Sequence, residues 1–349
     1  MDSIPVTVLT GFLGSGKTTL LNHLLGHPGL AETAVLINEF GEIGLDHLLV
    51  KHVAEDIVLL NSGCLCCTVR GDMVDALRDL FLKRVKGEVP EFARVIIETT
   101  GLADPAPIVH TLMTEPLLAS RYRLDGIVST IDAVNGSRTL DQHEEAVKQA
   151  AIADRLVLTK TDIADYTAVE VLHARLRQLN PSAPLLRAHD GKLDPAEILD
   201  AGLFNDHDKI PDVRKWLKAE AYDDDGGAHH DHHHHHHDVN RHDDRIQAFV
   251  FTQDNPVSWP ALSFALELLI SSRGENILRI KGIVNVAGED KPLAIHGVQH
   301  VFHPPAQLDG WPDDDHRTRI VFITRDFSRE VLTRMLGDVL AISDQTGEC

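Results

Sequence analysis

The octapeptide Gly11-Phe12-Leu13-Gly14-Ser15-Gly16-Lys17-Thr18 fits the spacing G-x-x-x-x-G-K-[ST], in which a backbone loop wraps a phosphate. It follows a short β-branched, apolar run at residues 4–10, read as a strand, and leads into Thr18–Leu25, read as a helix. Glycines let successive N–H groups turn toward phosphate oxygens at a helix N-terminus whose dipole favours anions. The lysine of such a loop reaches the β- and γ-phosphates, and the hydroxyl after it ligates Mg2+. Gly11, Gly14, Ser15, Gly16, Lys17, Thr18 and Thr19 are therefore the expected phosphate-binding residues, with Lys17 and Thr18 also expected to act in catalysis.

Working outward, further apolar runs occur at Thr33–Ile37, Ile57–Leu60, Val95–Ile97, Gly126–Ile131 and Arg155–Leu158. Helical patterns lie between them, for example at Asp72–Arg84 and Gln142–Ala151. Strands alternating with helices imply a mostly parallel sheet covered on both faces, an α/β P-loop NTPase domain over residues 1–210. A chain of 349 residues is long for one core, and 43% hydrophobic residues supply enough apolar surface for two. Residues 223–244 are dominated by Asp and His and cannot bury a core, so 211–245 is expected to be a His/Asp-rich flexible linker. Beyond it, strands at Ile246–Thr252, Ile277–Val286 and Ile320–Thr324 and helices at Trp259–Ile270 and Arg329–Leu340 imply a small α+β domain over 246–349.

The net charge of −20 argues against binding a nucleic-acid backbone. No run approaches the roughly 18 apolar residues of a membrane span. No basic segment followed by an apolar stretch opens the chain, so a cytoplasmic location without membrane partners is expected.

Two further strand ends carry chemistry. Arg94-Val-Ile-Ile-Glu98-Thr-Thr-Gly101 places a carboxylate where a second phosphate-loop strand would help organise Mg2+ and water, with Glu98 standing where Asp is usual. Arg155-Leu-Val-Leu-Thr159-Lys160-Thr161-Asp162 ends in a base-reading pattern. A carboxylate such as Asp162 accepts hydrogen bonds from guanine N1–H and the 2-amino group, neither of which adenine has, so GTP is favoured over ATP. The Lys160 stem is expected to pack on the base. Thr159 replaces the usual Asn, which bears on the strictness of that choice.

Three of the four cysteines crowd into Asn61-Ser-Gly63-Cys64-Leu-Cys66-Cys67, too close together to staple a loop. Thiolates at Cys64, Cys66 and Cys67 suit Zn2+, Co2+ or Cu+ rather than Mg2+ or Ca2+; buried inert thiols and a redox pair are the competing readings. Asn38-Glu39-Phe-Gly41-Glu42 follows the second strand, where a γ-phosphate-sensing switch is expected; Glu39 is the candidate for catalysis and Glu42 for completing the metal shell. The nine histidines between His229 and His242 offer weak, reversible metal binding. His296, His300 and His303 read as surface or core residues.

Taken in order, these features resemble the CobW-type metallochaperone GTPases, relatives of the UreG and HypB nickel-insertion proteins. The resemblance rests on Thr10–Thr19, Asn38-Glu39-Phe-Gly41, Gly63-Cys64-Leu-Cys66-Cys67, Glu98-Thr-Thr-Gly101-Leu-Ala-Asp104-Pro105 and Thr159-Lys-Thr-Asp162. In the second half it rests on Arg279-Ile-Lys-Gly282, Gly297-Val-Gln-His300, Trp311 and Arg319-Ile-Val-Phe-Ile. It implies a slow GTPase using GTP and Mg2+, with Zn2+ or Co2+ at the cysteines passed to a client metalloprotein as hydrolysis drives release. A homodimer is compatible with it. Two rivals stand beside this reading: a metal buffer or sensor with a regulatory GTPase, and a P-loop kinase or transferase, against which Asp162 and the cysteines count.

Overall fold

The computed structural model describes residues 3–38, 58–62, 69–199 and 245–346, which form two compact units. One holds a parallel sheet from the part of the chain before residue 200. The other holds an antiparallel sheet from the part after residue 244, grouped with Leu140–Val147 and Arg175–Ser182.

The strands of the first unit are β1 (Ile4–Gly11), β2 (Thr33–Asn38), β3 (Val58–Ser62), β4 (Arg94–Glu98), β5 (Tyr122–Asp132), β6 (Arg155–Thr159) and β7 (Leu185–Arg187). They pair in parallel in the order β3-β2-β4-β1-β5-β6-β7. Parallel neighbours need long crossovers, and helices supply them. These are α1 (Lys17–Leu25), α2 (Val69–Lys86), α3 (Ala106–Thr114), α4 (Pro116–Ala119), α5 (Gly136–Gln142), α6 (Glu144–Ile152) and α7 (Tyr166–Leu179), with α8 (Pro195–Ile198) after the last strand. Layers on both faces explain why strands read as continuous apolar runs: β6 is buried at every position. Leu20, Leu21 and Leu24 of α1 pack against Leu9, Val35, Ile96, Val128 and Val157, one from each of the five central strands.

The register places chemistry on one edge. Leu9 pairs with Glu98, Gly11 with Thr130, Asp132 with Thr159 and Ile37 with Glu98, so the C-terminal ends of β1, β2, β4, β5 and β6 lie side by side. In open parallel sheets this carboxyl edge is where ligands bind.

The helix expected at Gln142–Ala151 is α6, which starts two residues later at Glu144, and α5 precedes it across His143. Glu144 and Glu145 occupy the first turn of α6, where carboxylates favour a helix start. Strand β7 was not anticipated, because three residues show no periodicity.

The second unit contains β8 (Ile246–Gln253), β9 (Ile277–Val284), β10 (Leu293–Val298), β11 (Val301–Phe302), β12 (Ala306–Gln307) and β13 (Thr318–Arg325), with α9 (Trp259–Arg273) and α10 (Arg329–Thr346). The sheet runs β11-β10-β9-β13-β8, with β12 pairing to β10. Phe249, Phe251, Ile280, Ile320 and Phe322 of the sheet share a core with Leu262 and Leu266 of α9 and Leu332 and Leu336 of α10. Phe249 and Phe322 stack with ring centroids 5.9 Å apart. Of the scattered histidines, His296 and His303 are buried and stack at 4.5 Å, while His300 is exposed with its ring over Gly274. The segment 211–245, read from sequence as a linker, lies outside the described residues apart from Arg245, and so do the histidines from His229 to His242.

Phe322 is fully buried at the centre of the second core, so Phe322→Ala is expected to destabilise that unit by about 3–5 kcal/mol. Urea denaturation followed by circular dichroism measures it.

Candidate nucleotide-binding site

β1 ends at Gly11 and α1 begins at Lys17, and the loop between them is held in an unusual backbone path. Gly11, Gly14 and Gly16 have φ of 139°, 71° and 92°. At Gly11 the demand is also steric, because a Cβ would collide with Thr130 and lie 2.7 Å from Ser15 Oγ. Gly16 caps α1 with no side-chain hydrogen bond to the first-turn N–H groups. Those donors and the helix dipole are suited to an anion.

Side chains from distant strands fasten the loop. Ser15 Oγ and Thr130 Oγ1 are hydrogen-bonded at 2.7 Å. Thr159 Oγ1 donates to Ser15 O (2.7 Å) and Ile131 O (3.2 Å). Lys160 Nζ donates to Gly14 O and to Asp132 Oδ2, both at 2.7 Å. Lys160 itself has φ 57°, a left-handed conformation costly for a residue with a side chain, and this ammonium bridge keeps it there.

Lys17 Nζ donates to Gly11 O (2.9 Å) and Phe12 O (3.3 Å), which lays the ammonium across the loop. Thr18 Oγ1 donates to Glu98 Oε1 at 2.9 Å, and Glu98 is buried. A hydroxyl and a carboxylate beside a loop of N–H donors form the hard oxygen set that suits Mg2+ next to a phosphate chain. After β6, Thr161 Oγ1 donates to Ala188 O (3.3 Å) and the Ala188 N–H to Leu158 O (2.8 Å), which ties the turn after β7 to the Thr159–Asp162 segment. Asp162 is exposed beside it.

The structure thus brings Gly11, Gly14, Ser15, Gly16, Lys17, Thr18, Glu98, Thr159 and Lys160 together at one edge, with Thr159, Lys160 and Lys17 bonded to the loop and Thr18 to Glu98. Thr19 faces the turn at Gly191, where an added Cβ would lie 2.7 Å from its methyl. Glu39, Glu42, Cys64, Cys66 and Cys67 lie outside the described residues; β2 and β3, which precede them, end side by side at Asn38 and Ser62. Among the described residues no group of three His, Cys, Asp or Glu side chains is arranged to hold a metal ion.

Sequence reading missed Thr130 and Asp132. The signal for Asp132 was present, since it closes an apolar strand as Glu98 does. Burial acts to raise the Asp132 carboxyl, but hydrogen bonds from Asn135, Lys160 and the Val134 N–H, with the Lys160 charge, outweigh it and hold the group below the usual carboxylate range.

Fold and edge together define a phosphate-loop nucleotide-binding protein. Residues 5–187 match the CobW/HypB/UreG nucleotide-binding domain and residues 246–340 the cobalamin synthesis protein CobW C-terminal domain. The chain belongs to the CobW/HypB/UreG family. It is 35% identical to the zinc chaperone YjiA of Escherichia coli, over 93% of this chain and 94% of that one. It is 30% identical to the zinc chaperone CobW of Pseudomonas aeruginosa, over 98% and 92% of the two chains. The crystal structure of Zn(II)-bound YjiA GTPase from E. coli aligns with a TM-score of 0.72 at 29% identity, covering 97% of this chain and 99% of that one.

Because the folded-state carboxyl of Asp132 is depressed, the stability it contributes is present above the ordinary carboxylate pKa of about 4 and is lost as pH falls through its folded value. Asp132→Asn is expected to cost about 1–2 kcal/mol at pH 7, a figure that allows for the part-exposed Lys160 partner. The difference from wild type should shrink as pH falls below that range, measured by denaturation midpoints across pH.

Proposed function

We propose that this chain is a GTP-dependent metal chaperone. It binds Mg-GTP on the carboxyl edge of the parallel sheet, holds Zn2+ (or Co2+) through Cys64, Cys66 and Cys67, and passes the ion to a client metalloprotein as GTP is hydrolysed. The observation that carries this reading is the bonded edge itself. The phosphate loop, Glu98 and the Thr159–Asp162 segment converge there, and β2 and β3 end beside them immediately before the Glu39–Glu42 and Cys64–Cys67 segments. Its relative YjiA is named a zinc chaperone and has been crystallised as a Zn(II)-bound GTPase.

In this reading the N–H groups of Gly11, Gly14, Ser15 and Gly16 and the start of α1 hold the phosphates, with Thr18 and Thr19 continuing the cradle. Lys17 exchanges its loop carbonyls for β- and γ-phosphate oxygens. Thr18 and Glu98 fit Mg2+ by their oxygen donors, and the ion bound there would neutralise charge on the terminal phosphates. Glu98 and Glu39 orient the attacking water, Asp162 reads guanine, and Lys160 packs along the base. Thr159 holds the loop through Ser15 O, so the hydroxyl at the Asn position serves the phosphate end of the nucleotide. Glu42 joins the thiolates around the cargo ion. Ordering of the Glu39–Glu42 switch by the γ-phosphate couples the two ligands, and hydrolysis relaxes the cysteine site.

Zinc titrated against a competing chelator, on protein lacking residues 229–237, tests the coupling. Binding about 10-fold or more tighter with a non-hydrolysable GTP analogue than with GDP, and lost in Cys66→Ala, is expected. Equal affinity in the two nucleotide states contradicts it. Asp162→Ala is separately expected to weaken GDP binding by about 10–100-fold while leaving ADP binding unchanged, as read by fluorescent-nucleotide displacement.

A further inference from the structure

After Glu98 the chain runs Thr99-Thr100-Gly101-Leu102-Ala103-Asp104 before α3 begins at Ala106. Three contacts fix this loop. In front, Gly101 lies so close to the phosphate loop that a Cβ would sit 2.6 Å from Leu13 N and 2.7 Å from Leu13 Cα. Behind, Gln149 Nε2 donates to Gly101 O (3.3 Å) and Ala103 O (2.9 Å). At its far end Asp104 accepts the Ala106 N–H at 3.0 Å and faces Lys148 Nζ at 3.9 Å. Both Lys148 and Gln149 come from α6, so one helix grips the loop twice.

Gln149 is 1% exposed, and its Oε1 is buried without a hydrogen-bond donor. Leaving an amide oxygen unmet carries the full desolvation cost of that group, and an apolar side chain of the same length would avoid it. The position therefore serves something besides packing. What the amide holds is the peptide backbone at Gly101, which abuts the phosphate loop and follows directly from the carboxylate that bonds Thr18. By the general geometry of phosphate loops, a diphosphate would be held by the loop and the start of α1, whereas a third phosphate would lie further out, toward the Thr18–Glu98 pair and this loop.

Resting on the GTPase reading above, we infer that Gln149 is a positioning residue for the γ-phosphate. Its amide fixes the Gly101–Ala103 backbone against the phosphate loop, so the protein distinguishes GTP from GDP and hydrolyses it through a loop geometry set from α6. Gln149 touches neither nucleotide nor metal and acts through the loop carbonyls.

The test compares GDP affinity, GTPγS affinity and single-turnover GTP hydrolysis in wild type, Gln149→Met and Gln149→Asn. Met keeps the length and removes both donors; Asn keeps the amide but is one methylene short of its two carbonyls. Both variants are expected to bind GDP within about 2-fold of wild type, and to lose about 10-fold in GTPγS affinity and in hydrolysis rate. GDP affinity doubles as the check that each variant is folded, and Gln149→Asn decides the matter if the Met variant does not fold. Equal weakening of GDP and GTPγS would make Gln149 a scaffold residue and overturn the inference, as would no change in either. Wild type that binds neither nucleotide would instead overturn the GTPase reading on which the inference rests.

Discussion

Everything at the carboxyl edge depends on how the phosphate loop's carbonyl groups are engaged. Thr159 donates to Ser15 O, Lys160 to Gly14 O, and Lys17 to Gly11 O and Phe12 O. A peptide is planar and trans, so drawing the Ser15 carbonyl toward β6 turns the Gly16 N–H the opposite way, toward the mouth of the loop. The glycine torsions make this path possible, and the side chains from β5 and β6 make it stable. The anion site is therefore a property of the whole sheet. Its register aligns Thr130 with Gly11 and Thr159 with Asp132, and a slip of one residue would point those side chains to the other face.

The same network divides labour among charges. Asp132 fixes Lys160, and Lys160 in turn fixes Gly14 O, a chain of charge-assisted bonds that ties the loop to the end of β6. Glu98 holds Thr18 at the other end, on the strand beside β1. Lys17 lies across the loop itself, donating to Gly11 O and Phe12 O. Gln149 extends the arrangement outward, tying the segment beyond Glu98 to α6 without adding charge.

Much of this was legible in sequence because it is local. The octapeptide, the strand before it and the helix after it lie within 25 residues, and the strand-end motifs at Glu98 and Thr159–Asp162 announce themselves by an apolar run ending in polar residues. What escaped depends on partners far apart in the chain. Thr130 meets Ser15 across 115 positions, and Gln149 meets Ala103 across 46. Neither residue carries a motif of its own. Strand β10 escaped for a different reason: His296 and Gly297 interrupt its apolar run, and only pairing with β9 makes Leu293–Val298 a strand. Helix α5 (Gly136–Gln142) escaped as well, since its seven residues are mostly polar and carry no apolar stripe.

The family's nucleotide edge and the cysteine motif of this chain meet in one claim, that occupancy of the first sets the affinity of the second. Thermodynamic linkage makes that claim reciprocal, so it can be tested from the nucleotide side, without following metal at all. The decisive measurement is the affinity of a non-hydrolysable GTP analogue, and of GDP, with and without saturating Zn2+, on protein lacking residues 229–237. Zinc is expected to tighten the analogue by about 10-fold and leave GDP unchanged. Analogue affinity that is the same with and without zinc would contradict the account and leave the GTPase and the cysteines as two unconnected sites.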